Sequence, residues 1–248
     1  MCHVKHISDL VRPQSHTACS RGRAPVLMSF DTQCRIGLDM LSEENLRRLL
    51  LPFGLELDPG QLASLLTYLN LLLRWNRRIN LTGIREPEQC VTRLFGESLY
   101  LARWVDLHGQ LLDVGSGAGF PGLALKIAFP ALSVTLLEPV AKKRAFLKEV
   151  ARACSLDGVE VRGERLETYI RSIAAPCFDA ATSRAVGHYD QFVPAVVHCL
   201  KPKGTLFLWL ARDQGAALRQ INAPVEWQSP LRIPLRDTGE IWWATKNG

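Results

Sequence analysis

Several absences narrow the reading at once. No apolar run in the 248 residues approaches the roughly 20 that a helix needs to cross a bilayer. Met1 to Leu10, with charges and histidines scattered through it, lacks the apolar middle of a secretory signal. A cytoplasmic protein with no membrane partner is therefore expected. The seven cysteines, Cys2, Cys19, Cys34, Cys90, Cys154, Cys177 and Cys199, include no C-x-x-C pair. That removes a zinc knuckle and a disulfide framework and leaves reduced thiols, several of them buried as small apolar residues. There is no internal repeat, Ser-His-Asp set, paired-carboxylate site or metal-ligand cluster, so no metal is expected.

What is present is an ordinary folded composition, 47% hydrophobic and 22% charged, with a formal net charge of +6. Such an excess attracts a polyanion if it is gathered on one face and is only a solvated surface if it is spread, so location decides. Residues 1–40 show no sustained helical or strand period; they read as a leader, either disordered or an upstream extension absent from the translated protein, with a weak transit-peptide reading beside it.

Residues 41–108 read as a small helical domain. S-E-E-N from Ser42 is a helix start, with Leu46, Leu49 and Leu50 on one face. Asp58-Pro59 opens a longer helix in which Leu62, Leu65, Leu66, Leu69, Leu72 and Leu73 keep the spacing of a buried stripe. A third helix follows Glu86-Pro87.

Beyond His108-Gly109 short apolar runs alternate with helical stretches. "QLLDVG", "SVTLLEP", "VEVRG", "FDAATSRA" and "GTLFLWLA" read as strands, with helices over 123–129, 141–154, 166–173 and 192–200. Alternation with short connections implies a parallel sheet covered on both faces. "SPLRIPLR" and "GEIWWATK" are expected to add strands at its end, the second antiparallel.

The strand-to-helix turn "LLDVGSGAGFPG", Leu111 to Gly122, lies where open α/β sheets bind their ligands. Glycines there admit positive φ and let a ligand touch the main chain, and Pro121 suits the first turn of the next helix. The string satisfies G-x-G-x-x-G, which alone is weak grounds for a dinucleotide. It reads more regularly as D-x-G-x-G-x-G, with Asp113 placed to face a cationic or polar ligand. Glu138, at the end of the second strand, is positioned to accept hydrogen bonds from both hydroxyls of a ribose, which NAD and S-adenosylmethionine share.

Taken in order, "NLTG" (80–83), the glycine loop, "TLLEP" with "KKRAFL" (142–147), and "SRA" (183–185) closely resemble the RsmG/GidB family. Those bacterial enzymes methylate N(7) of a guanine in small-subunit ribosomal RNA from S-adenosylmethionine. The resemblance runs from about Leu41 to the C-terminus. It implies a Rossmann-like class I methyltransferase sheet over 109–248, mostly parallel with an antiparallel last strand, preceded by the helical domain. It further implies that Gly115 and Phe120 touch the cofactor, that Asp113, Gly117 and Gly119 shape the same wall, that Glu138 holds the ribose, and that Leu166 and Glu167 line the adenine. Arg184 looks like the family arginine that borders both cofactor and target base. The chain departs from the family at "TRLFGES", which keeps Arg93 and Ser98 but has Leu94 and Glu97, and at "LWLARDQ", where Ala211 and Arg212 replace an expected Lys-Gly.

Guanine N(7) carries an in-plane lone pair and no proton at neutral pH, so this chemistry requires placement and no general base. Isolated histidines fit that view and read as surface or capping residues, His188 standing out only for its nearness to Arg184. Two basic groups are candidates for RNA: Lys142, Lys143, Arg144 and Lys148 with Arg152 on one helix, and Arg74, Arg77 and Arg78 beside Trp75, which reads as core. The expected partner is small-subunit rRNA or the assembling subunit, and the expected state a monomer. Two alternatives stay open at this level: a nicotinamide-dependent oxidoreductase using the same loop, and a non-catalytic RNA-binding module.

Overall fold

A computed structural model describes residues 3–4, 41–184 and 187–248. Apart from His3–Val4 (β1), the leader lies outside the described residues. Residues 41–248 pack together as one compact unit.

The first two helices start at side-chain caps. Ser42 caps α1 (Glu43–Leu50) by accepting from the Asn45 N–H at 3.1 Å. Asp58 and Gln61 form a reciprocal capping box at the start of α2 (Pro59–Asn76), whose leucine stripe is buried at Leu62, Leu65, Leu69 and Leu72. The chain leaves α2 in a turn organised by the buried Asn76 amide, which accepts from the N–H groups of Leu81 and Thr82 and donates to the carbonyls of Thr82 and Ile84. The expected third helix begins as α3 (Pro87–Cys90), widens to a π-helical stretch at Val91–Gly96, returns to α at α4 (Glu97–Leu99) and closes in a 3₁₀ turn at Tyr100–Arg103. Val105–Asp106 (β2) pairs antiparallel with β1.

The main sheet holds β3 (Gln110–Val114), β4 (Ser133–Leu137), β5 (Val159–Arg162), β6 (Phe178–Arg184), β7 (Leu200–Ala211), β8 (Val225–Trp227), β9 (Leu231–Arg232) and β10 (Gly239–Lys246). Its order is β5-β4-β3-β6-β7-β10-β8, with β9 also on β10. The first five strands are parallel and β10 runs antiparallel to β7, from Gly239 opposite Ala211 to Thr245 opposite Thr205. The connecting helices are α5 (Gly122–Ala128), α6 (Ala141–Ala153), α7 (Leu166–Tyr169) and α8 (Tyr189–Cys199), with α9 (Arg212–Gly215) after β7.

Strand alternation divides the core between two faces. Leu111, Ala180, Phe207 and Ile241 join the core formed with α1, α2, α5 and α6. Their chain neighbours Leu112, Ala181, Leu208 and Trp242 join the opposite core with α8. Burial on both sides is what makes these strands continuous apolar runs.

Three expectations need correction. The helix expected over 166–173 stops at Tyr169. "SPLRIPLR" supplies only the two residues of β9, because its prolines cannot donate to a ladder, while the three-residue β8 was too short to show a period. Pro121 caps α5 from outside, one residue before the helix starts, after a cis Phe120-Pro121 bond.

Candidate active site

The chain runs from β3 outward through β4 to β5, then returns to build β6 and β7 on the other side, so the carboxyl ends of β3 and β6 flank a topological switch point. The glycine loop occupies one side of it. Gly115 and Ser116 donate to the Leu137 carbonyl at 2.9 and 3.1 Å, and Gly117 donates to Glu138 Oε2 at 2.9 Å. Glu138 Oε1 accepts from the Val140 N–H at 2.8 Å. The buried Glu138 carboxylate thus joins the loop to the turn after β4, and among the described residues each oxygen keeps one acceptor site unused.

Asp113 lies beneath the loop rather than facing outward. Its Oδ1 accepts from the Thr182 hydroxyl at 2.9 Å and its Oδ2 from the Gly122 N–H at 3.3 Å. Full burial raises its carboxyl from 3.8 to about 6, against the lowering effect of its hydrogen bonds to Thr182, Ser116 and Gly122, with the Glu138 charge adding to the rise.

The glycines do different jobs. A side chain at Gly117, where φ is +56°, would meet nothing nearer than the Gly115 carbonyl at 3.8 Å, so this position faces open space. At Gly119, with φ +90°, it would run into the Tyr68 hydroxyl, Leu123 and Leu147. The protein itself excludes a side chain there. Tyr68, fully buried on α2, also donates its hydroxyl to the Ala118 carbonyl and stacks on Phe120 with centroids 5.2 Å apart and rings 6° from parallel. Phe95 closes edge-on against both rings. The Phe120 side chain is therefore buried in an aromatic cluster with the helical segment, leaving its main chain on the loop. Tyr68 was not legible as a site residue; it lies on the α2 stripe, but its partners are some 50 residues away in sequence.

Leu166 is buried and Glu167 exposed in the first turn of α7. On α6, Arg144 donates to the carbonyls of Glu138 (3.1 Å) and Pro139 (2.6 Å), bracing the turn that presents Glu138, whereas Lys142, Lys143 and Lys148 have no ion-pair partner among the described residues. Arg74 and the Trp75 indole both bind Glu149 of α6, and Trp75 packs edge-on against Phe146. That second basic group is thus partly spent on joining α2 to α6. His188 is exposed at the N-cap of α8.

On the β6 side Arg184 meets Glu97, whose side chain is only 1% exposed. Arg184 Nη2 donates to Glu97 Oε2 and to the Arg93 carbonyl, both at 2.8 Å. Arg236 Nη1 reaches the same Glu97 oxygen at 2.8 Å, and Arg93 Nε the other at 2.7 Å. The Trp209 indole fixes the Glu97 carbonyl at 2.7 Å. Arg236 was not singled out from the sequence, since it sits in a loop 139 residues from Glu97. Among the described residues there is no His, Cys, Asp and Glu grouping fit for a metal, and no helix long and apolar enough to cross a membrane.

A five-stranded parallel sheet extended by an antiparallel β10, with a glycine loop after β3 and an acid after β4, defines a class I methyltransferase. The precorrin-6y C5,15-methyltransferase of Geobacter metallireducens GS-15 shares the fold at a TM-score of 0.50, covering 68% of this chain and 91% of that one; at 12% identity the likeness is one of fold alone. Residues 61–230 match the GidB family, rRNA small subunit methyltransferase G. The ribosomal RNA small subunit methyltransferase G of Chloroflexus aggregans is 38% identical over 203 residues, covering 78% of this chain and 85% of that protein. That of Roseiflexus castenholzii is 43% identical over 200 residues, covering 77% and 86%. The chain belongs to the GidB family, and neither the nicotinamide reading nor the non-catalytic one is favoured.

Proposed function

We propose that the protein transfers a methyl group from S-adenosylmethionine to N(7) of a guanine in small-subunit ribosomal RNA, free or in the assembling subunit, as a cytoplasmic monomer. The observation that carries the cofactor is Glu138, held by two main-chain N–H groups at the end of β4 with an acceptor site left on each oxygen. The RNA substrate rests on the names of the relatives.

The residues fit the cofactor. Gly117 leaves open space beside Glu138, and the negative charge of Glu138, with the Asp113 carboxyl buried behind the loop, favours a sulfonium and an ammonium over a pyrophosphate. When bound, S-adenosylmethionine supplies a sulfonium methyl that the N(7) lone pair takes directly, the C–S electron pair remaining on sulfur. No residue of the chain has to remove a proton. Its work is placement: Glu138 holds the ribose, Gly115, Gly117, Gly119 and the Phe120 main chain form the wall, and Leu166 and Glu167 flank the adenine. Arg184, at the end of β6, positions the target nucleotide against the cofactor. Residues 41–108 act as the domain that presses on the loop through Tyr68, while 109–248 hold the cofactor. Lys142, Lys143 and Lys148 offer charge to RNA, and Arg144 keeps their helix joined to the Glu138 turn.

Mapping N(7)-methylguanine in small-subunit rRNA from cells with and without the protein tests the reaction, the base and the substrate together. One guanine should lose its methyl group when the protein is absent; an unchanged map would sink the reading. Glu138→Ala should lower methyl transfer about 100-fold, equivalent to about 2.7 kcal/mol, with little change in RNA affinity.

A further inference from the structure

Arg93, Arg184 and Arg236 converge on one carboxylate. A single guanidinium in bidentate contact would satisfy Glu97; three leave an excess of two positive charges around a residue that is itself almost fully buried. Arg93 is half-exposed, whereas Arg184 and Arg236 are mostly buried beside Glu97. The three arginines line a cavity of about 560 Å³ that also touches Trp209, Tyr189 and Gln214, a volume within the range that holds a nucleotide-sized ligand.

Inside this arrangement Arg184 Nη1 is buried and has no hydrogen-bond partner among the described residues. An unpartnered buried charged donor is costly, and in a native structure it calls for an explanation, of which a bound anion is one. Burial lowers the Arg184 pKa, with Arg236 and Arg93 pushing the same way and Glu97 opposing. An anion would relieve each of these strains. The cavity lies at the carboxyl ends of β6 and β7, next to the glycine loop on the same edge of the sheet.

We propose that the cavity lined by Arg93, Arg184 and Arg236 is a seat for a phosphodiester of the RNA substrate, organised by the buried Glu97. Resting on the methyltransferase reading, this assigns the seat to RNA because the cofactor wall across the switch point already carries the acids suited to the cofactor. Guanidinium groups match phosphate oxygens in pairs, which fixes the nucleotide's register without reading its sequence. Glu97 keeps the three forks apart and oriented, and a phosphate drawn among them would give the buried Arg184 Nη1 the acceptor it lacks.

The test is Arg236→Gln, because Glu97 then keeps Arg93 and Arg184 as partners. Binding of small-subunit rRNA fragments over a salt series is expected to weaken about tenfold, with the slope of log affinity on log salt falling by about one. Arg236→Lys, which keeps the charge, should retain the slope. Arg93→Gln, at a half-exposed position, gives the same readout should Arg236→Gln unfold. Calorimetry with S-adenosylhomocysteine separates the two sources of an anion. Unchanged cofactor affinity beside weakened RNA binding supports the seat; weakened cofactor affinity with intact RNA binding would mean that the cavity takes the cofactor's carboxylate and would overturn it, as would no change in either. A wild-type protein that bound neither S-adenosylhomocysteine nor rRNA would instead remove the methyltransferase reading itself.

Discussion

On the β3–β4 side of the switch point the wall is made of main chain. The N–H groups of Gly115, Ser116 and Gly117 are all bonded, and the two acids behind them, Asp113 and Glu138, have partners on both oxygens. On the β6–β7 side the wall is made of long cationic side chains around one acid, and a buried donor on Arg184 has no partner among the described residues. The first wall is braced within the chain and negative in character, with acceptor sites left on Glu138; the second is positive and has a donor to spare. A ligand with a cationic centre suits the first and a polyanion the second, which is the arrangement the proposed function requires of a methyl donor and an RNA.

If the first wall depends on close main-chain approach, Gly119→Ala should damage it most. The added carbon would face Tyr68 and Leu123 at φ +90°, costing about 3 kcal/mol from overpacking and strain together. Thermal unfolding should show a Tm roughly 6–12 °C lower for a chain of this length; a drop under about 2 °C, the scale of a 1 kcal/mol change, would mean that the loop is not clamped.

The character of the same wall can be read by pH. Because burial raises the Asp113 carboxyl from 3.8 to about 6, the folded protein keeps a proton there that the unfolded chain releases. Its stabilising effect is therefore full below about pH 4 and is lost as the pH rises through about 6. The difference corresponds to about 3 kcal/mol. Denaturant unfolding of the wild type and Asp113→Asn should show the wild type losing about that much relative to the variant between about pH 4 and about pH 7, and parallel curves would contradict the burial argument.

A smaller effect is expected from Tyr68→Phe, which keeps the stack on Phe120 but takes the donor from the Ala118 carbonyl. About 1–2 kcal/mol should be lost, seen as a Tm fall of roughly 3–6 °C and as weaker S-adenosylhomocysteine binding. Unaltered cofactor affinity would confine Tyr68 to the core. Replacing Lys142, Lys143 and Lys148 together by Gln should be mildest for the folded state, since none has an ion-pair partner among the described residues. It is expected to flatten the salt dependence of RNA binding by about one for each phosphate that is no longer neutralised, and an unchanged slope would leave these lysines a solvated face.

Local chemistry made much of this legible. The Ser42 and Asp58 caps, the α2 stripe, the five parallel strands and the glycine loop are each written within a few residues, where spacing and capping act. Strand ends are where acids meet a loop, which singles out Asp113 and Glu138, but the local pattern does not show that Asp113 turns inward to Thr182 and Gly122. What escaped was long-range. Nothing near Tyr68 in the chain points to its bond with the Ala118 carbonyl, and Glu97 in "TRLFGES", a departure from the family, gains its purpose only where Arg93, Arg184 and Arg236 close on it.

The sequence by itself determined the period of each element, the order of strand and helix, and the motif that places the chain in its family, because those properties depend on neighbours within one or two turns. Only the tertiary structure decided which glycine faces open space and which faces Tyr68, that Arg144 braces a turn, and that three arginines from separate segments share one buried carboxylate. Such pairings are set by how the sheet brings distant strand ends together, and no local spacing encodes them.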